Sequence, residues 1–106
     1  MFVLKHDPVF TTDVTIPRAD GKDGKLRLKF KHKDREALKS FMEELSAEGS
    51  KRSDLEVLLE IVAGWEEVDA PFTKDNFDAL LKTFHGSATA IFNAYVPALM
   101  DGQAKN

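Results

Sequence analysis

The feature that most constrains this chain is a change of hydrophobic period near residue 33. Upstream of it, Phe10, Thr12, Val14 and Ile16 alternate with Thr11, Asp13 and Thr15, and Leu26, Leu28 and Phe30 alternate with Lys25, Arg27, Lys29 and Lys31. A repeat of two sends successive side chains to opposite faces of a strand, so these are two half-buried strands. Downstream, apolar residues recur three and four positions apart, the spacing of one face of a helix. Strands first and helices afterwards predict the α+β class, with an N-terminal antiparallel β-hairpin segregated from about four amphipathic helices packed as a small bundle.

The hairpin is expected over residues 8–33. Pro17 ends its first strand, and Asp20-Gly21-Lys22-Asp23-Gly24 supplies two Asp-Gly pairs suited to a turn with positive φ. The helical part is expected over 34–100. The first helix runs from about Asp34 to Glu48 with the stripe Leu38, Phe41, Met42 and Leu45, and Gly49 stops it. Ser53-Asp-Leu-Glu56 is a capping box that opens a second helix with the stripe Leu55, Leu58, Leu59, Val62 and Trp65. Val57 and Ile61 add apolar surface on a second side of it. After Pro71-Phe72, Thr73 caps a third helix carrying Phe77, Leu80, Leu81 and Phe84. Gly86 ends that helix, and Ser87 caps a fourth with Ala88, Ile91, Phe92, Tyr95 and Leu99 on one face. Pro97 should kink this last helix or mark its frayed end. The tail, 101–106, has nothing to bury and is expected to be mobile.

At 106 residues the chain suits one domain, 1–106, and it contains no internal repeat, low-complexity tract or long linker. There are no cysteines, so disulfides, thiolate metal sites and a cysteine nucleophile are excluded. No apolar run is long enough for a transmembrane helix. The opening Met1-Phe-Val-Leu-Lys-His-Asp7 turns charged too early for a signal peptide, which leads us to expect a cytoplasmic protein.

Charge is unevenly spread. Residues 1–40 hold ten Lys/Arg against six Asp/Glu, a balance of +4, and residues 41–106 hold five against twelve, a balance of −7. Such polarity could draw partners of opposite sign to either end, or join copies of the chain head to tail, or simply solvate two faces. The row Lys25, Arg27, Lys29, Lys31 and Lys33 has three readings. It is a solvated face that discourages edge-to-edge aggregation, a docking surface for an acidic protein, or a track for nucleic acid. The last is the weakest, because the aromatics Phe10 and Phe30 fall on the opposite face and the pI is about 5.6.

Little in the chain suggests catalysis or a bound cofactor. His6, His32 and His85 lack neighbours at metal-ligand spacing, and His32 continues the apolar face of the second strand. The pairs Glu43-Glu44 and Glu66-Glu67 are adjacent on helical segments and diverge rather than converge on a substrate. Gly21-Lys-Asp-Gly-Lys25 lacks P-loop spacing and precedes a strand, so no helix N-terminus is offered to a phosphate. No serine sits in Gly-x-Ser-x-Gly. We therefore expect no enzyme, no cofactor and no metal. Trp65 and Phe72 flank the acidic connection Glu66-Glu-Val-Asp69, where they are either core anchors or an interface hot spot. With Lys25, Arg27, Lys29 and Lys31 they make the set of candidate protein-binding residues.

The stretch Gly64-Trp65-Glu-Glu-Val-Asp-Ala-Pro71-Phe72-Thr-Lys-Asp-Asn-Phe77-Asp-Ala-Leu80-Leu81-Lys-Thr-Phe84, followed by Ala90-Ile91-Phe92-Asn-Ala-Tyr95, resembles the tail assembly chaperones of long-tailed phages. In that family a helix ending in Trp leads by a short turn to Pro-Phe or Pro-Tyr, a Leu-Leu helix follows, and the last helix carries Ile and an aromatic. The resemblance covers about residues 53–99. One departure is visible: His85-Gly86 stands where the family pattern has a proline after the aromatic closing the third helix.

The resemblance implies a non-enzymatic protein that binds the tape measure protein, keeps it soluble and helps the tail tube protein polymerise around it in the host cytoplasm. Two alternatives are a small structural subunit kept in the particle, such as a tail or head completion protein, and a nucleic-acid-associated regulator using the basic hairpin. A longer form made by ribosomal frameshifting is common in the family, and Ala104-Lys105-Asn106 can be encoded as GCA-AAA-AAC, which contains the slippery run A-AAA-AAC.

Overall fold

The structure, a computed structural model, describes residues 1–5, 7–47 and 52–101, with Asp101 described for its backbone alone. Strands β1 (Val9–Ile16) and β2 (Gly24–Lys31) pair antiparallel in the register Val9↔Lys31 to Ile16↔Gly24. The turn between them uses Gly21 at φ +79°, whose N–H donates to the Arg18 carbonyl, and the Lys22 N–H donates to the Asp20 carboxylate. A left-handed φ is nearly free for glycine, which is why the Asp-Gly pair sits there.

The hairpin gains a third strand. The second helix, expected to reach Trp65, stops at Ile61, and β3 (Val62–Glu66) runs antiparallel along the free edge of β2, giving the sheet order β1-β2-β3. Ile61, Val62 and Trp65 satisfy a helical stripe and a strand equally well, so period alone does not decide this segment. Gly64 weakens a helix there, while the edge of β2 supplies backbone partners that a strand can use. Ala63 is the extra residue of a bulge, because Lys29 pairs with Gly64 and Phe30 with Val62.

Helices α1 (Arg35–Ser46), α2 (Asp54–Ile61), α3 (Lys74–Thr83) and α4 (Ser87–Asp101) complete the α+β fold. Two of them open on the expected caps, where side-chain oxygens accept from backbone N–H groups, Ser53 from Glu56 and Thr73 from Asn76, and Asp34, near which the first helix was expected to begin, caps α1 by accepting from Ala37. Ser87 departs from its expected role. It is the first residue of α4, is buried, and its hydroxyl donates to the Phe84 carbonyl at 2.7 Å. Gly86 precedes it, and a Cβ on Gly86 would come within 3.2 Å of the Pro17 ring, so a side chain there would press on the end of β1 unless that ring gave by a few tenths of an ångström. Helix α4 continues past Pro97 to Asp101; Pro97 and Asn93, whose carbonyl loses its usual partner, are both exposed, where water can serve instead. The predicted stop at Gly49 and the tail at 102–106 lie outside the described residues.

One sheet face carries the core. Val14, Ile16, Leu26, Leu28 and Phe30 pack against Leu58, Ile61, Phe77, Ile91 and Tyr95 from the helices, with α4 lying along β1 and α2 against β2. Phe10, Phe30 and Tyr95 form a ring cluster with centroids 5.2–6.3 Å apart. The hydroxyl of Tyr95 donates to the Lys31 carbonyl at 2.7 Å. Burial pushes this phenol up to about 12, assisted by the negative charge of Glu60.

Candidate protein-binding site

The sheet's second face carries the basic row. Lys25, Arg27 and Lys29 point outward as alternation requires, but β3 brings an acid among them. Glu66 stands opposite Arg27 and forms ion pairs with it at 3.2 Å and with Lys29 at 3.6 Å. Asp13 flanks Arg27 on the other side, on β1. Lys31 donates to the Leu59 carbonyl at the end of α2, and Lys33 pairs with Glu60 at 2.7 Å while lying over the Phe41 ring. The positive line of the sequence is thus partly neutralised in the folded chain.

Trp65 and Phe72 lie on the other side of the sheet from these cations. Trp65 is opposite Leu28 on the core face, half-buried, and its indole N–H donates to the Ala70 carbonyl at 2.8 Å. Its ring meets Phe72 and Phe77 edge-on at 5.1 and 6.2 Å. Between strand and rings, Glu67 takes φ +58°, the left-handed turn that returns the chain toward Pro71-Phe72. The six residues singled out from the sequence therefore form two separate groups, a charged outer face and an aromatic corner.

A third surface was not singled out. Between α1, α2 and the start of α4 runs an open groove of about 380 Å³. Leu45, Val57, Leu58, Ala88 and Phe92 form its apolar wall, and Arg52 and Asp54 stand at its polar side. Arg52 is fixed in place by Glu44 at 2.7 Å, Glu60 at 2.8 Å and the Glu56 carbonyl at 3.1 Å. Those carboxylates hold its guanidinium above its ordinary pKa, Glu44 most. Desolvation raises the Glu60 carboxyl, but hydrogen bonds from Lys33 and Arg52 outweigh it and leave its pKa below the usual value. Leu45, Ala88 and Phe92 read in the sequence as ordinary core stripes; Val57, apolar on a second side of its helix, was the available signal that α2 presents a wall to something beyond the sheet.

Among the described residues, no group of three His, Asp or Glu side chains could hold a metal ion, and no helix is long and apolar enough to cross a membrane. What the molecule offers is surface: a groove, a corner and a charged face. A family model described as phage tail assembly chaperone matches residues 1–106. The chain belongs to the phage tail assembly chaperone family. The match takes in the hairpin and α1 as well as the segment that carried the resemblance. Curated proteins and solved structures give no significant match. A tail assembly chaperone works through protein partners, so these surfaces are the places to look for its site.

Proposed function

We propose that this chaperone binds the tape measure protein of its phage, keeps it soluble in the host cytoplasm, and assists the tail tube protein to polymerise around it, without enzymatic chemistry. The observation that carries the reading is the groove between α1, α2 and α4. Its wall of five apolar side chains suits the apolar stripe of an amphipathic helix. Arg52 at its polar side is already paired with Glu44 and Glu60, while Asp54 lines the groove and Glu43 and Glu56 are exposed on the same two helices, so the balance there is acidic. A helix with an apolar stripe and Lys or Arg on its flanks complements both properties. The outer sheet face with Lys25, Arg27, Lys29 and Lys31 is the proposed contact for an acidic partner, and the half-exposed Trp65 and Phe72 for the edge of an apolar one. The ion pairs of Glu66, and the placing of Phe10 and Phe30 on the core face, weigh against nucleic acid on that sheet.

Co-expression with the tape measure protein of the same phage tests this. The proposal expects the tape measure protein to become soluble and to co-purify, and expects Thr89→Arg, an exposed position at the groove, to abolish capture while the chaperone stays folded. A tape measure protein that stays insoluble and unbound overturns the reading, and the mature particle is then the place to search for this chain.

A further inference from the structure

Among the described residues, α1 is the one element whose backbone runs close alongside no other element of the fold. The other helices lean on the sheet or on each other, whereas α1 stands off from α2 and α4 across the groove of about 380 Å³. Its apolar stripe is only partly used. Phe41 is buried, Leu38 and Leu45 are half-buried, and Met42 is exposed. A segment with so few buried apolar contacts lies at the low end of local stability, so it opens while the rest of the fold stays intact.

The attachments of α1 are unequal. Lys33, just ahead of the helix, pairs with Glu60 of α2 at 2.7 Å, and its ammonium lies 5.0 Å from the centre of the Phe41 ring. That ring meets Phe92 of α4 with centroids 6.4 Å apart. Together these contacts make a pivot. About one turn further along, Glu44 is bound to Arg52 at 2.7 Å. Arg52 belongs to the α2 side, because Glu60 and the Glu56 carbonyl also hold it, so it keeps its place when Glu44 lets go. The Glu44 side chain is 52% exposed, and an ion pair in such contact with solvent is weak and screened by salt.

We infer that α1 is a hinged wall of the groove: it rocks about Lys33 and Phe41, and the Glu44–Arg52 pair is the clasp that holds it against α2. The groove is then a jaw rather than a fixed slot. Closure on a partner rests on the reading of the groove given above. A helix seated there lets α1 bring Leu38, Met42 and Leu45 down on it. Those side chains are partly exposed without the helix, which supplies the difference in affinity between open and closed states that closure requires.

The chain has no cysteine, so two introduced ones carry spin labels at chosen places only. Ser46→Cys, exposed at the far end of α1, paired with Thr15→Cys, exposed on β1, reads the swing by double electron–electron resonance. Lys82→Cys with Thr15→Cys spans the rest of the fold as the control. In the free chain the 46–15 distances should spread more widely than the 82–15 distances. Glu44→Gln should widen the first spread and leave the second unchanged. A 46–15 spread as narrow as the control, or one that Glu44→Gln does not widen, overturns the inference, and neither result needs a partner. In the complex with the co-purified tape measure protein the 46–15 distances should narrow, and a spread as wide as that of the free chain overturns the closure. Failure to capture that protein overturns the reading of the groove instead, and the free-chain distances then decide the hinge by themselves.

Discussion

The hydroxyl of Tyr95 donates its hydrogen bond to the carbonyl oxygen of Lys31, 64 positions earlier in the chain, at 2.7 Å. This contact ties the last helix to the end of the middle strand, in the ring cluster with Phe10 and Phe30. Tyr95→Phe keeps the ring and leaves the carbonyl without this partner, so we expect a loss of about 1–2 kcal/mol in urea unfolding. Tyr95 is the chain's only tyrosine, so alkaline titration of its absorbance reads it alone. The folded phenol, raised to about 12, should ionise well above the unfolded chain's. A raised acid stabilises fully below the unfolded pKa, near 10, and loses that contribution as pH climbs from there to about 12. Ionisation near pH 10 in a chain that is still folded would contradict the buried placement.

Glu60 gives the acid side. Its carboxyl is held below its ordinary pKa of 4.5 by Lys33 and Arg52 against the opposing pull of desolvation. A depressed carboxyl stabilises fully above the unfolded pKa and loses the contribution as pH falls through the folded one. Glu60→Gln should therefore cost about 1 kcal/mol at neutral pH, and the gap from wild type should close below pH 4.5. A gap that persists in acid would mean that packing, not charge, holds this junction.

The aromatic corner should act as a single unit. Trp65→Ala removes a half-buried ring from Phe72 and Phe77 and should cost about 3 kcal/mol. Trp65→Phe retains an edge-on ring but loses the bond to Ala70, at a cost of about 1 kcal/mol. Thermal unfolding followed by circular dichroism checks both. Equal losses for the two variants would show that the Ala70 bond, rather than the ring, fixes the corner.

Glu67 holds a left-handed conformation at φ +58°, which costs a side-chain-bearing residue about 1–2 kcal/mol. Glu67→Gly relieves it and should raise stability by roughly 0.5–1 kcal/mol after the added freedom of the unfolded chain is counted. A destabilised Glu67→Gly protein would place an unrecognised contact on this side chain.

Where sequence and structure agree, the signal was strictly local. Alternation fixed the faces of β1 and β2, Asp-Gly fixed the turn, and Asp34, Ser53 and Thr73 opened their helices. Where they part, the deciding partner was distant. Val62–Trp65 read as helix because its apolar positions fit that spacing, but the edge of β2 pairs with it as a strand that runs on to Glu66. That one change moves Trp65 to the core face of the sheet and delivers Glu66 to Arg27 and Lys29, which alternation in β2 alone could not foretell. The groove was invisible for the same reason: Leu45, Val57 and Phe92 look like core until the helices are placed and a gap remains among them.

The central claim, that the α1–α2–α4 groove holds the tape measure protein, is most directly tested by amide hydrogen exchange on the chaperone alone and on the co-purified complex. The account predicts slowed exchange in the complex at the end of α1, along α2 and at the start of α4, around Leu45, Val57 and Phe92. Unchanged exchange there, with protection confined to the outer sheet face around Arg27 and Lys29, would contradict it and move the binding site to the charged surface.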